Sequence, residues 1–485
     1  MSLPIPNPLL PPLVFDFFTA MGFEEKGRDL APVVFVILTI ASWPIALALR
    51  IMHAPVLRLL ISSLTGIALM IGVYGWQTTC FFIVFVVTFY IPCRYKLMGP
   101  GLVSALALMT LGGVHYDAML SGTATDRMSQ TGTLMMIVAK ICMFAFHMED
   151  GRRREAGLEL SAHAHVAASR GLSAVNAADV NLIKFLCYNF EFQGGVVGPL
   201  FTYAEFMDFV HLRGDFKSLS QVPFGWASVK AAARAFSIVG AYMYLSGQSW
   251  FGAQVLVTDW FLAGSFWWKL VVTPFLIAGC RLAYYSGWAM SEVACTLSGL
   301  ALQPPNRFTR GRNTNLRKFE LSTNFNQVTA NWNIRISELW LKQCVYQRID
   351  SVPPVIRPII GSHKALANLT TKITSAFWHG WYAGYGTSFL SLGIGNWTEN
   401  VMRKRLHPRI PQWLASNPLS SIFAWIHTWW SVNFFFAPFV LLTWERTITF
   451  YSSMYWCMHL YHLFIISALT IFMPPKVEAG AKKKL

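Results

Sequence analysis

The sequence predicts an all-α polytopic membrane protein with about ten transmembrane or re-entrant helices, and three observations carry that prediction. Of 485 residues, 54% are hydrophobic and only 13% charged, against about a quarter charged in a soluble domain. Mean hydropathy is +0.43. The apolar runs extend from residue 31 to residue 473 with no interval long enough to free a soluble half. One membrane domain over 31–473 is therefore expected, preceded by a proline-rich polar segment, 1–30, and followed by a basic tail, 474–485.

A helix needs about 20 apolar residues to cross a bilayer. The runs that qualify, wholly or in part, begin with 31–49 and with 59–93, which is uncharged and long enough for two spans hinged near Gly72 and Gly75. They continue with 97–116, 131–148, 235–258, 260–280, 282–302, 373–397, 415–443 and 447–473. The start, Met1-Ser2-Leu3-Pro4-Ile5-Pro6-Asn7-Pro8, lacks the basic residues that open a signal peptide, so Ala31 to Leu49 reads as the first span.

Other stretches do not read as simple spans. Glu149 to Ala178 is polar and basic, a loop or surface helix. Tyr188 to Pro199 is apolar but broken by Gly194, Gly195, Gly198 and Pro199. Such backbone persists at membrane depth only inside protein or beside a water-filled cavity, so a re-entrant segment is expected. Gln303 to Lys372 is a long basic connection in which Trp332, Ile336, Leu339 and Trp340 recur at helical spacing, with Arg335, Glu338 and Lys342 between them. That pattern predicts an amphipathic helix at the membrane boundary.

The formal net charge is +16, from 39 Lys and Arg against 23 Asp and Glu. Nucleic acid is not the expected partner, because the cations sit in short clusters between apolar runs: Arg50 and Arg58, Arg94 and Lys96, Arg152 to Arg154, Arg403 to Arg405, Lys482 to Lys484. Such clusters suit anionic headgroups, the positive-inside bias, or the phosphates of an anionic cosubstrate. The eight cysteines contain no CxxC pair, and His163 and His165 stand alone in a polar loop, so no metal centre is expected. A phosphate loop, a dinucleotide-binding glycine fingerprint and an H-E-x-x-H are all missing. No permanently bound cofactor is implied, and a substrate carrying its own activation, such as the thioester of acyl-CoA, fits that pattern.

Ionisable and strongly polar residues in apolar runs are candidates for function, because they are expensive there. His379 stands among Phe377, Trp378, Trp381, Tyr382, Tyr385 and Phe389, with Gly380, Gly384 and Gly386 leaving room for close approach. Desolvation favours its neutral form, which suits a general base; a packed, hydrogen-bonded histidine reads the same way. Asn333, in Asn331-Trp332-Asn333, can orient a base or donate to an oxyanion, and equally can be a cap. Glu292 interrupts a run that begins at Arg281, where a structural ion pair competes with catalysis. His459 and His462, one turn apart near Tyr455 and Tyr461, read as interfacial rather than metal-binding.

Several segments together resemble the membrane-bound O-acyltransferase (MBOAT) family, in particular its lysophospholipid acyltransferases, over roughly residues 180 to 465. The run Ser375-Ala376-Phe377-Trp378-His379-Gly380-Trp381-Tyr382-Ala383-Gly384-Tyr385 is similar to that subfamily's S-A-x-W-H-G-x-x-P-G-Y, with Ala383 for the proline. Arg281-Leu282-Ala283-Tyr284-Tyr285-Ser286-Gly287-Trp288 is similar to R-x-K-Y-Y-x-x-W, with Ala283 for the lysine. Glu320, eleven residues before Trp332-Asn333, resembles a third motif, in which Leu339 holds the last tryptophan's place and Trp340 follows. Gly198-Pro199-Leu200-Phe201-Thr202-Tyr203 looks like the family's GPxxxY.

The resemblance implies a bundle of about 10–11 helices enclosing a tunnel, and transfer of a fatty acyl group from acyl-CoA to the free hydroxyl of a lysophospholipid. It implies His379 and Asn333 as catalytic, and Trp332, Trp378, Glu320, Glu292, Arg281, Tyr284, Tyr285 and Tyr385 as the substrate-binding set. The competing readings are acylation of a protein or sterol and, from another class, a transporter with a buried polar pathway. The ending Lys482-Lys483-Lys484-Leu485 resembles the dilysine retrieval signal of endoplasmic reticulum membrane proteins, and a solvated basic tail is the alternative.

Overall fold

A computed structural model describes residues 31–121, 130–158, 175–349, 351, 353–360 and 362–474. His163, His165, the first 30 residues and the tail lysines lie outside the described residues. Helices of eight residues or more are numbered in chain order. They are α1 Ala31–Ile51, α2 Pro55–Tyr74, α3 Trp76–Tyr95, α4 Pro100–Leu120, α5 Gln130–Glu155, α6 Leu182–Asn189, α7 Tyr203–Val210 and α8 Gly225–Ser246. After them come α9 Phe266–Cys280, α10 Leu282–Ser298, α11 His363–His379, α12 Ala383–Arg405, α13 Pro418–Leu441, α14 Trp444–Ser453 and α15 Cys457–Phe472. A π-helix occupies Ile336–Val345. Among the described residues the β structure is one two-residue antiparallel ladder, Leu302–Gln303 with Arg307–Phe308.

The protein is thus an all-α, multi-pass membrane protein, but with fewer full crossings than a count of apolar residues gives. Six stretches among the described residues are long and apolar enough to cross: α1 through α5, and Phe266–Ser298; α14 with α15 makes a seventh, bent by 71°. The run 59–93 divides where Gly75 adopts φ +84°, between α2 and α3. The run 373–397 is not one span, because Gly380, at φ +118°, ends α11 and the next helix starts at Ala383. The run 447–473 bends where Tyr455 and Trp456 both take φ +52°. The division near Gly75 is the one the length of 59–93 anticipates; the breaks at Gly380 and at Tyr455–Trp456 are not, because counting apolar residues is blind to left-handed backbone.

The chain packs as two units. Unit one holds the chain up to Val239, Tyr284–Asn313 and Asn333–Trp381; unit two holds Gly240–Ala283, Thr314–Trp332 and the chain from Tyr382 onward.

Unit one is built around α5, whose Leu134, Ile137, Val138, Ile141 and Phe144 have no exposed surface. Against it lies the glycine-broken segment 190–202, irregular in backbone and buried nearly throughout, as a re-entrant segment requires. Many of its polar groups are bonded to neighbouring helices or within the segment itself. Lys140 Nζ on α5 donates to the Glu191 carboxylate at 2.8 Å and to the Tyr188 carbonyl at 2.9 Å. The other Glu191 oxygen accepts from Gly194 N at 2.8 Å. Ser62 of α2 supplies its carbonyl to Phe192 N and its hydroxyl to Gln193 Oε1, and Thr133 donates to the Val196 carbonyl. Gly66 is required for this contact, since a Cβ there would overlap the Phe190 carbonyl.

Arg50 and Arg58 do not face headgroups, contrary to their reading as a surface cluster. Both are buried. Arg58 donates to the carbonyls of Leu49, Met52 and Phe209, and Arg50 to those of Leu219 and Val222. The last carbonyls of a helix lack intrahelical partners and carry the negative end of its dipole, so cations settle there. Arg152 serves the end of α3 the same way, through the carbonyls of Cys93 and Arg94.

Unit two packs α12 between α13 and α15 around Phe434, Phe435, Phe450 and Tyr451. His459 and His462 face this interior instead of the membrane interface. The His462 ring bridges Thr398 of α12 and Ser431 of α13, at 2.9 Å to each, and His459 Nε2 lies 2.9 Å from Ser391 Oγ. All eight cysteines are free thiols.

The Lys140–Glu191 pair has no exposed side-chain surface on either partner. Lys140→Met leaves an uncompensated carboxylate and is expected to destabilise by about 3–5 kcal/mol. Lys140→Met with Glu191→Leu is expected to recover most of that loss. Thermal unfolding of the purified proteins in detergent measures both, and an equal deficit in the single and double variants contradicts the pairing.

Candidate active site

His379 is the last residue of α11. The amphipathic sequence His363–His379 starts from a Ser362 cap, whose hydroxyl accepts from Ala365 N, and ends where Gly380 N turns back to the Phe377 carbonyl at 3.1 Å. The imidazole therefore projects from a helix C-terminus, where the dipole favours positive charge. A base that becomes an imidazolium on taking up a proton is helped by that position. The Trp378 ring lies 4.9 Å from the His379 ring and 5.3 Å from Trp340 of the π-helix, and its Nε1 donates to the Met135 carbonyl at 2.9 Å.

Asn333 immediately precedes the segment that becomes the π-helix and adopts φ +46°. Asparagine tolerates this left-handed region far better than most residues, so the type suits the backbone as well as any chemistry. The expected amphipathic helix is present here, with Ile336, Leu339 and Trp340 buried and Glu338 and Lys342 exposed, paired at 3.0 Å. It is wound as a π-helix, which a three-to-four apolar spacing does not distinguish from an α-helix. π turns recur at functional positions.

Both flanks of Asn333 are anchored. On one side, Ile334 N donates to the Asn313 carbonyl at 2.7 Å, Asn313 N donates to Glu292 Oε1 at 3.0 Å, and Glu292 Oε2 pairs with Arg234 of α8. Glu292 thus has an ion-pair partner, and it is Arg234, not the Arg281 at the head of its run. On the other side, Arg335 donates to the Leu200 carbonyl at 2.7 Å and pairs with Glu205 at 2.5 Å. Glu205 also closes a capping box with Thr202 at the start of α7. Burial by itself would raise the Glu205 pKa, but Arg335, Arg310 and the Thr202 amide outweigh it and hold the carboxyl below its ordinary 4.5.

In unit two, Arg281 and Glu320 meet in a forked pair, with Nη2 at 2.8 and 2.7 Å and Nε at 3.2 Å. Asn433 contacts the same guanidinium, and Trp429 Nε1 donates to Glu320 Oε2 at 3.2 Å. These groups line a small cavity with Phe319, Val328 and Thr428. Trp332 packs between Phe319 and Phe436, at 5.0 and 6.1 Å, and Tyr385 against Phe439 at 4.7 Å. In unit one, Tyr284 is half-exposed beside Trp288, while Tyr285 is buried.

Three residues close to the site escaped sequence reasoning. His115 of α4 donates from Nε2 to the Trp378 carbonyl at 3.1 Å, and Arg234 and Glu205 brace the Asn333 segment. The depth criterion that picked out His379 applies equally to His115, an imidazole at the end of the run 97–116. Arg234 and Glu205 carry no signal until their partners are known.

Glu205→Gln is expected to cost about 3 kcal/mol by stranding Arg335. A carboxylate whose folded pKa is depressed stabilises above its ordinary 4.5, and that contribution is lost as pH falls through the lower folded value. Thermal unfolding from neutral pH down to about pH 3 reads this out: the deficit of Glu205→Gln relative to wild type should shrink toward the acid end. A deficit that is constant across the range contradicts the pairing.

The membrane-bound O-acyltransferase family profile matches residues 116–441. The chain is 25% identical to Membrane-bound glycerophospholipid O-acyltransferase 1 of Homo sapiens, over 95% of this chain and 92% of that protein. It is likewise 25% identical to the Lysophospholipid acyltransferase of Schizosaccharomyces pombe, over 95% of this chain and 89% of the relative. To Lysophospholipid acyltransferase 6 of Drosophila melanogaster it is 25% identical, over 78% of this chain and 51% of the relative. With a family profile spanning two thirds of its length, the chain belongs to the membrane-bound O-acyltransferase family.

Proposed function

We propose that the protein is a lysophospholipid O-acyltransferase that takes a fatty acyl group from acyl-CoA, with His379 as general base and Asn333 as its partner in catalysis. The observation that carries the reading is His379 at the broken end of α11, inside the Ser375-to-Tyr385 motif, in a chain akin over most of its length to lysophospholipid acyltransferases.

In this reading the His379 imidazole accepts the proton of the lysophospholipid hydroxyl as the oxygen attacks the thioester carbonyl. A carbon–oxygen bond forms, the carbon–sulfur bond breaks, and the CoA sulfur leaves with the proton returned from His379. The negative end of α11 supports the intermediate imidazolium. The Asn333 carboxamide donates to the developing oxyanion or orients the imidazole. Both acyl chains are apolar, so a reaction inside a membrane protein spares their transfer into water. Basic loops would draw the anionic CoA toward the protein. We assign Arg281, Glu320, Trp332, Glu292, Tyr284, Tyr285, Trp378 and Tyr385 to substrate recognition or its support, and the endoplasmic reticulum membrane as the location.

The test uses purified wild type, His379→Ala and Asn333→Ala with labelled oleoyl-CoA and a panel of lysophospholipids. Wild type is expected to acylate at least one of them, and each variant to fall by about a hundredfold or more. Equal rates in wild type and His379→Ala sink the base. Transfer to none of the panel, with transfer to a sterol or peptide acceptor, sinks the substrate class.

A further inference from the structure

We propose that His115 of α4 is a positioning residue for the reaction assigned to His379: its imidazole fixes the last turn of α11 and so the direction in which the catalytic ring points. The proposal rests on the reading of His379 as the base.

An α-helix leaves its final carbonyls without intrahelical partners, and a terminal turn without other bonds frays. At the end of α11 the Phe377 carbonyl is taken by Gly380 N. The next carbonyl, of Trp378, belongs to the peptide that leads directly into His379, and it is taken by His115 Nε2 at 3.1 Å. A carbonyl only accepts, so Nε2 of His115 carries the proton, and in the neutral ring Nδ1 is the acceptor.

The contact continues on the far side of His379. A Cβ on Gly380 would stand 3.0–3.3 Å from Cγ, Nδ1 and Cβ of His115, so the ring packs against bare backbone there. Gly380 is also at φ +118°, a conformation that other residues rarely adopt. One turn earlier on α4, the Gly112 carbonyl accepts from Trp381 Nε1 at 2.7 Å, and a Cβ on Gly112 would meet the Phe377 ring at 2.9 Å. Residues 112 and 115 of one helix thus hold Phe377 and Trp378 before the histidine, and Gly380 and Trp381 after it. A base aligned to a reacting hydroxyl tolerates little angular freedom, and a misplacement of about 1 Å can cost a hundredfold.

The test measures initial rates of the full-length protein with labelled oleoyl-CoA and the lysophospholipid that wild type acylates fastest. The variants are His115→Ala, His115→Gln and His115→Asn, with His379→Ala as control. The glutamine amide nitrogen reaches about where imidazole Nε2 sits, whereas that of asparagine falls short of the Trp378 carbonyl. His115→Ala and His115→Asn should lose about ten- to a hundredfold in kcat with KM for both substrates nearly unchanged, and His115→Gln should stay within about threefold of wild type. Equal kcat in the Gln and Asn variants, a loss confined to KM, or failure of both short variants to fold would each assign another role to His115 and overturn the proposal. If His379→Ala is fully active, the base reading itself has failed; if it is inactive while His115→Ala runs at the wild-type rate, only the positioning role has.

Discussion

Lys140 and Glu191 meet at 2.8 Å with neither side chain exposed, and the rest of unit one is arranged around the consequences. A glycine-broken segment lying among membrane helices brings amides and carbonyls to a place where water is scarce. Each must find a partner in protein, and Lys140 answers three acceptors at once, the Glu191 carboxylate and the carbonyls of Tyr188 and Asn189. Glu191 in turn holds the Gly194 amide. The ion pair is less a source of stability than the condition for an irregular chain to lie beside α5 at all. Hydrophobic packing then closes over it, as α2 approaches close enough at Gly66 to exclude any side chain.

That segment leads straight into the bracing of Asn333. Leu200, at its end, supplies a carbonyl to Arg335, and α7 follows with the Glu205 carboxylate for the same guanidinium. From the opposite direction Glu292 holds the Asn313 amide, and Asn313 holds Ile334. Asn333 therefore sits between two peptide anchors, each tied to a buried carboxylate. Glu292, for which the sequence leaves an ion pair and catalysis both open, makes the ion pair and holds the backbone of Asn313. An ion pair with Arg234 and an amide bond to Asn313 together occupy both Glu292 oxygens.

Much of this was legible in the sequence, and the remainder was hidden for physical reasons. The membrane class, the division of 59–93 at Gly75 and the amphipathic face after Asn333 follow from composition and spacing, which act locally. The motif around His379 was readable for the same reason, being contiguous. The break at Gly380 was not, because one left-handed residue turns an apolar run of sufficient length into two helices. Arg50 and Arg58 looked like surface cations because their acceptors, carbonyls of Leu219, Val222 and Phe209, come from more than 150 residues away. Carbonyls are present at every residue and leave no trace in sequence. His459 and His462 were misplaced likewise, since their hydroxyl partners belong to other helices.

The break in the chain at His379 also suits the role proposed for that histidine. In the middle of a continuous span its neighbours' carbonyls would be consumed by the helix, its backbone would be fixed by ordinary i to i−4 bonds, and its ring would lie along the helix wall. At a terminus the same residue sits beside carbonyls that need outside donors, at the negative end of the dipole, with a glycine next to it that allows another helix to come near. Each of these features is a cost in a simple membrane span, and each fits the role proposed for His379: a helix end whose dipole favours imidazolium, and a terminal turn bonded to a second helix. The same logic holds for Asn333, where left-handed backbone and a π-helix take the place of a regular turn. Both candidate catalytic residues stand where helical regularity stops, and in both places the backbone groups beside that break are bonded to other parts of the chain.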